Sequence, residues 1–237
     1  MIQKLLARFR RPALALSADQ QLRLEFLKQK ISAGCNANLA NDRIVVVDVE
    51  TSGLSLADDR LIAIGAIAIH AGRIVYADSF EVLLRQEVAS EKANILVHGI
   101  GGTAQRSGLS PEEALLAFLE YLDGAPLFAF HVVFDETMLR KAYRKFLGIN
   151  FRHSWADLAY LLPELFPKYA RKCHALDDWL SHFAIVNEAR HNALADALAT
   201  AQLGLMALHK ARTKRNSDFR SLQGMEKAQR WLSAARY

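Results

Sequence analysis

The apolar positions along the chain change their period several times, and each change marks an element. Ile44 to Val47 form a short unbroken apolar run, the pattern of a central strand covered on both faces. Two further runs, RLIAIGAIAIH (60–70) and RIVYADSFEVLL (73–84), are separated only by Ala71 and Gly72. A two-residue break between strand-like runs predicts a hairpin, so three neighbouring antiparallel strands are expected. Upstream, SADQQLRLEFLKQKISA (17–33) reads as a helix capped by Ser17, followed by the linker GCNANLAND. Downstream, SPEEALLAFLEYLDG (110–124) carries a capping box of Ser110 and Glu113, with Pro111 at the first helical position and Gly124 at the stop.

PLFAFHVVF (126–134) reads as a buried strand running into the helix DETMLRKAYRKFLG. A short strand is expected near 151–157, with helices following to about residue 210. Strands first, then strands alternating with helices, predict an α/β fold: a mixed sheet of three antiparallel strands plus parallel strands, flanked by helices. Sites on such sheets lie beyond the ends of the central strands. The first strand delivers Asp48 and Glu50 to that place, and two residues apart they share a face. Like charges at the mouth of a buried strand repel each other and lose solvation unless protons or cations compensate them. A strand ending in solvent and a divalent-metal site are the two readings of this pair.

Composition narrows the class. With 237 residues, 51% of them apolar, the chain can bury one substantial core, so one domain plus extensions is expected. The two cysteines, Cys35 and Cys173, are far apart, which argues against a disulfide framework or a zinc site and suits a reducing, cytoplasmic setting. No apolar run approaches the roughly 20 residues that span a bilayer. At the start, Arg8, Arg10 and Arg11 before PALALSA imitate a signal peptide only faintly. Ile2, Leu5, Leu6 and Phe9, at helical spacing, predict a basic amphipathic segment instead.

The net charge of +5 is unevenly spread. Residues 1–43 carry eight basic and three acidic side chains, and residues 209–237 eight and two, whereas 44–208 carry fourteen and twenty. An acidic centre with basic ends fits a protein that holds cations inside and meets a polyanion outside. The expected division is a basic helical extension (1–43), a central domain (44–209) and a basic C-terminal tail (210–237).

Two more carboxylates join the first pair. Asp135 opens the helix after FAFHVVF, a position where Asp also serves as a cap. Asp196 lies in NALADALATAQLGLMAL, a helix apolar almost all round: Leu194, Leu198, Ala201, Leu205 and Leu208 form its main stripe, and Ala199 and Leu203 flank Asp196 itself. A lone carboxylate on a buried helix needs a partner. His191 precedes it by five residues, which on one helix would set the side chains about 140° apart. They converge only if His191 lies in the loop VNEARHN.

In this order, DVETSGL, FHVVFD and HNALAD resemble the three exonuclease motifs of the DEDDh family. This is the DnaQ-like group of 3′→5′ exonucleases, which includes the proofreading subunit of bacterial replicative DNA polymerase. The resemblance covers about residues 42–209, and the HxAxxD ending at Asp196 is quite specific. It implies an RNase H-like fold, two Mg²⁺ or Mn²⁺ ions held by Asp48, Glu50, Asp135 and Asp196, and His191 as general base. It also implies that Thr51, Ser52, Gly53 and Leu54 receive the terminal nucleotide, with His131 and Phe134 of the second motif on the substrate side. That motif is commonly HNxxFD; here Val132 follows His131, so any hydrogen bond made by the Asn is absent. The implied activity is release of 5′-mononucleotides from the 3′ end of DNA, in association with a DNA polymerase subunit. The alternatives are an exoribonuclease of the oligoribonuclease or tRNA-trimming type, and a weakly active accessory module of a polymerase. Oligomeric state is not legible in the sequence.

Overall fold

In the computed structural model, which describes residues 16–31, 37–214 and 216–234, a five-stranded mixed sheet is sandwiched between helices. The strands run in the order β3-β2-β1-β4-β5. β1 (Arg43–Thr51), β2 (Leu61–His70) and β3 (Arg73–Leu83) are antiparallel neighbours, and β4 (Leu127–Ala129) and β5 (Trp155–Asp157) continue the sheet parallel to β1. The hairpin between β2 and β3 turns on Ala71 (φ 49°) and Gly72 (φ 71°), the paired left-handed residues that a tight hairpin needs. Along β1, Val45, Val47 and Val49 enter one apolar cluster, while Ile44 and Val46 enter the other. The central strand is thus covered on both faces, as its unbroken apolar run required.

The first face is covered by α1 (Ala18–Ile31), α4 (Pro111–Leu122) and α5 (Val132–Ala142), the last ending in a π turn, Tyr143–Leu147. Two short helices, α2 (Lys92–His98) and α3 (Gly102–Ser107), precede α4. The second face carries α6 (Leu158–Leu165), α7 (Leu176–His182), α8 (Ala193–Thr213) and α9 (Phe219–Ala234). Ser17 caps α1 by accepting from the Gln20 N–H at 3.2 Å. At α4 only half of the expected capping box forms. Ser110 Oγ accepts from the Glu113 N–H, but the Glu113 carboxylate turns away to Gln20 (2.6 Å) and Arg23 (2.8 Å), tying α1 to α4.

Two expectations change. The strand predicted over 126–134 stops at Ala129, because His131 (φ 66°) turns the chain and α5 begins at Val132. The N–H groups of His131 and Val132 donate to the Asp157 carboxylate at 2.9 and 3.1 Å. Asp157 thereby satisfies two donors at a helix start, where they have no partner within the helix. Asp135 consequently sits in the first turn of α5 and is not its cap.

The stretch read as a basic tail holds the end of α8 and the whole of α9, whose Phe219 and Leu222 are buried in the second cluster. Side chains of α9 also satisfy the outer edge of β5: Gln223 donates to the Trp155 carbonyl at 2.9 Å, and Glu226 accepts from the Asp157 N–H at 3.1 Å. The amphipathic segment predicted around residues 2–9 and the first three residues of the linker, Cys35 among them, lie outside the described residues. Among the described residues, no helix is long and apolar enough to cross a membrane.

Candidate active site

The site is assembled where the C-terminal end of β1 meets the first turn of α8. Asp48 pairs with Gly65 and Glu50 with Ala63, after which the register jumps to Thr51–Leu61. Such a bulge re-aims the end of a strand. Gly65 is the reason α8 can come so close: a Cβ there would stand 2.2 Å from the backbone of Ala193 and Leu194. With no side chain in the way, the start of α8 rests on β2, and Asp196 meets the carboxylates of β1. Carboxylate oxygens of Asp48, Glu50 and Asp196 all lie within 4.8 Å of one another. Glu50 is 9% and Asp196 3% exposed.

Asp135 stands outside this trio but beside it. It is buried in the first turn of α5 and accepts from the backbone N–H of Val49. Burial, then the charges of Asp135, Asp196 and Glu50, hold the Asp48 carboxyl well above the usual range. Burial and Asp196 push Glu50 up to about 8. Burial, with the charges of Asp157 and Glu50, pushes Asp135 up to about 8 against its backbone hydrogen bonds. Such a pocket takes up protons or cations.

Asp196 is different. Its Oδ1 accepts from Arg190 at 2.6 Å and from Asn187 at 2.5 Å, and its Oδ2 from the His191 N–H at 2.8 Å. The partner that a buried carboxylate on an apolar helix requires is therefore Arg190, which also pairs with Asp177 at 2.9 Å. The guanidinium bears on Asp48 and Glu50 too, pulling their pKa values downward. His191 lies in the loop before α8 as expected, with φ 64°; it is exposed, and its imidazole is not part of the carboxylate trio.

The loop after β1 is held from several sides. Ser52 Oγ donates to Asp59 at 2.7 Å, the Ser55 N–H donates to Asp59 at 2.8 Å, and Thr51 Oγ1 donates to the Gly53 carbonyl at 2.6 Å. A Cβ on Gly53 would meet the Asp59 carboxylate at 2.5 Å. Lys141 of α5 donates to the carbonyls of Leu56, Ala57 and Asp59, and Asn94 of α2 to that of Ser52. Leu54 stands 87% exposed at the rim. Phe134 is half-buried against the first cluster, and His131 is exposed with its ring edge-on to Phe130 at 4.8 Å.

His131 also corrects the reading of the second motif. Counted back from Asp135, HNxxFD places its Asn at residue 131 and its His at residue 130. The departure is therefore His131 and Phe130, and not Val132. The left-handed backbone at residue 131 supports this register, because Asn and His adopt it more readily than most residues. The residues not named from sequence are Arg190, Asn187, Asp157, Asp59, Lys141 and Gly65. Of these, Gly65 left a trace, since an isolated glycine within an apolar strand marks a close backbone approach.

A mixed sheet whose central strand and two helices bring four carboxylates to one end is the RNase H-like architecture of a nuclease. The chain belongs to the RNase T exonuclease family: the family model, described as an exonuclease, matches residues 45–203. It is 31% identical over 166 residues to a PolC-type DNA polymerase III of Caldanaerobacter subterraneus, covering 70% of this chain and 12% of that protein. It is 34% identical over 168 residues to a DNA polymerase III subunit epsilon-like protein of Rhodobacter capsulatus, covering 69% of this chain and 23% of that one. The chain thus spans less than a quarter of either relative. Among solved structures, E. coli exonuclease I in complex with a dT13 oligonucleotide superposes with a TM-score of 0.60 at 18% identity, over 74% of this chain and 42% of that one. Exonuclease X in complex with 5′-overhanging duplex DNA gives 0.54 at 16% identity, over 70% and 91%.

Proposed function

We propose that this protein is a metal-dependent 3′→5′ exonuclease that releases 5′-mononucleotides from DNA. The observation that carries the reading is the convergence of Asp48, Glu50 and Asp196, with Asp135 beside them, in a pocket whose burial and like charges call for cations. The donors are all carboxylate oxygens, which suits hard cations such as Mg²⁺ or Mn²⁺. Asp48, Glu50 and Asp196 would hold one ion, and Asp48 and Asp135 a second. When bound, two such ions neutralise charge on the scissile phosphate and favour deprotonation of the attacking water.

The chain's own groups do the rest. His191, in a solvent-open loop whose backbone is tied to Asp196, removes the proton from the attacking water. The loop Thr51–Leu54 receives the terminal nucleotide, offering backbone N–H groups and the exposed Leu54 side chain against the base. Lys141 and Asp59 keep that loop in one shape before substrate arrives. The polymerase III relatives support a role beside a DNA polymerase.

The test is digestion of 3′-end-labelled and 5′-end-labelled single-stranded DNA, duplex DNA and RNA, with Mg²⁺, Mn²⁺ and EDTA compared. We expect mononucleotides from the 3′ end of DNA, none with EDTA, and almost complete loss of turnover in Asp48→Ala. Release from RNA alone would move the assignment to an exoribonuclease. Wild-type rates in Asp48→Ala would overturn the metal-site reading.

A further inference from the structure

We propose that Arg230 of α9 is a positioning residue for Asp135, acting through Asp157. The inference rests on the nuclease reading above for its kinetic consequence, but its structural part stands apart from it. Asp157 ends β5, which is parallel to β4 and β1, so its carboxylate lies at the same end of the sheet as Asp48. It is 1% exposed and accepts three backbone N–H groups, from His131, Val132 and Ala159. The first two belong to the turn that begins α5, three residues before Asp135. That turn passes through a left-handed histidine, a conformation that costs free energy and persists only where neighbouring groups hold it. Asp157 is the group that does so.

A buried carboxylate needs a counter-charge, and here the counter-charge comes from the far end of the chain. Arg230 donates to Asp157 Oδ2 at 3.2 Å and to Glu226 at 2.7 Å, and its guanidinium lies 4.1 Å from the centre of the Tyr160 ring. Glu226 in turn accepts from the Asp157 N–H. One line of contacts therefore runs from α9 through Arg230 and Asp157 to the backbone that aims Asp135. An edge cover alone would need only Gln223, Glu226 and the buried Phe219 and Leu222. Arg230 adds a contact to the carboxylate itself. The geometry gives α9 a part in setting the site, although none of its residues belongs to the acidic cluster.

The experiment compares Arg230→Met, Arg230→Lys and wild type, with Lys227→Ala as an exposed control on the same helix. Met keeps an unbranched side chain of similar reach beside Tyr160 while the charge is lost. Amide hydrogen exchange at His131 and Val132 should accelerate at least tenfold in Arg230→Met relative to wild type and to Lys227→Ala. Arg230→Lys, which keeps the charge but not the planar guanidinium that lies over Tyr160, should fall between. For DNA digestion, kcat should drop about 10- to 100-fold in Arg230→Met, the range seen when outer partners of metal ligands are removed, with KM little changed. Unchanged exchange at His131 and Val132 in Arg230→Met would overturn the proposal and leave α9 an edge cover. If wild type digested no nucleic acid, the nuclease reading would fall, and the exchange data would still decide the link from α9 to the turn.

Discussion

Asp196 stands apart from the other three carboxylates because it already has a cation. Arg190 is held on Asp196 and Asp177 together, so the metal-free site carries one built-in positive charge. An ion arriving at Asp196 competes for the oxygen that Arg190 and Asn187 occupy. A hydrogen bond to a charged group is worth roughly 1.5–3 kcal/mol net. Replacing Arg190 with Gln should therefore tighten Mn²⁺ binding by about tenfold, since 1.4 kcal/mol is one decade in affinity. The same variant should melt lower without metal, because it leaves Asp196 buried without its counter-charge. Calorimetric titration with Mn²⁺ measures the first effect and thermal melting in EDTA the second. Weaker Mn²⁺ binding in Arg190→Gln would mean that the guanidinium supports the loaded state.

At the scale of elements, the site depends on how closely α8 lies on the sheet. Gly65→Ala would put a methyl group into the backbone of Ala193 and Leu194, and backbone yields less readily than a flexible side chain. Overpacking of this kind costs about 1–3 kcal/mol, and relief requires the start of α8 to lift, carrying Asp196 from Asp48 and Glu50. The expected result is a lower melting point together with loss of the stabilisation that Mn²⁺ gives wild type. Gly101→Ala, where nothing lies within 4 Å of the added atom, should show neither. The carboxylates of β1 and α8 were legible because period-2 and period-3.6 patterns are local. Their couplings were not, because Arg230 reaches Asp157 across 73 residues and Asp157 reaches His131 across 26. The same long reach explains the overextended strand at 126–134, whose nine residues suit a strand until a distant carboxylate starts a helix within them. In α9, basic residues hid the apolar stripe of Phe219, Leu222 and Met225 that packs on the second cluster.

For the whole molecule, the acid cluster sets how stability depends on pH. Glu50 and Asp135 are pushed up to about 8 and Asp48 well above its ordinary value, while in the unfolded chain such groups titrate near 4. Between those limits the folded state binds more protons than the unfolded state, so stability falls as pH rises. Other groups oppose this at lower pH. Hydrogen bonds to Ser52, Arg43 and Arg23 hold Asp59, Asp78 and Glu113 below their ordinary values, and these contribute stability that is lost only in acid. Burial lowers His98 and His153, which favours folding as pH rises through about 6.5 and is complete above it. From pH 7 to 8.5 the carboxylates act without that opposition. In EDTA the melting temperature should therefore fall across that range, and less steeply in Glu50→Gln, which removes one of the raised groups. Saturating Mg²⁺ or Mn²⁺ should flatten the curve and lift it, since an ion that binds only the folded state stabilises it by mass action. Melting curves at several pH values, with and without metal, make the comparison. A metal-free melting temperature that rose from pH 7 to 8.5 would show that the carboxylates are not held in their protonated forms by burial and mutual repulsion.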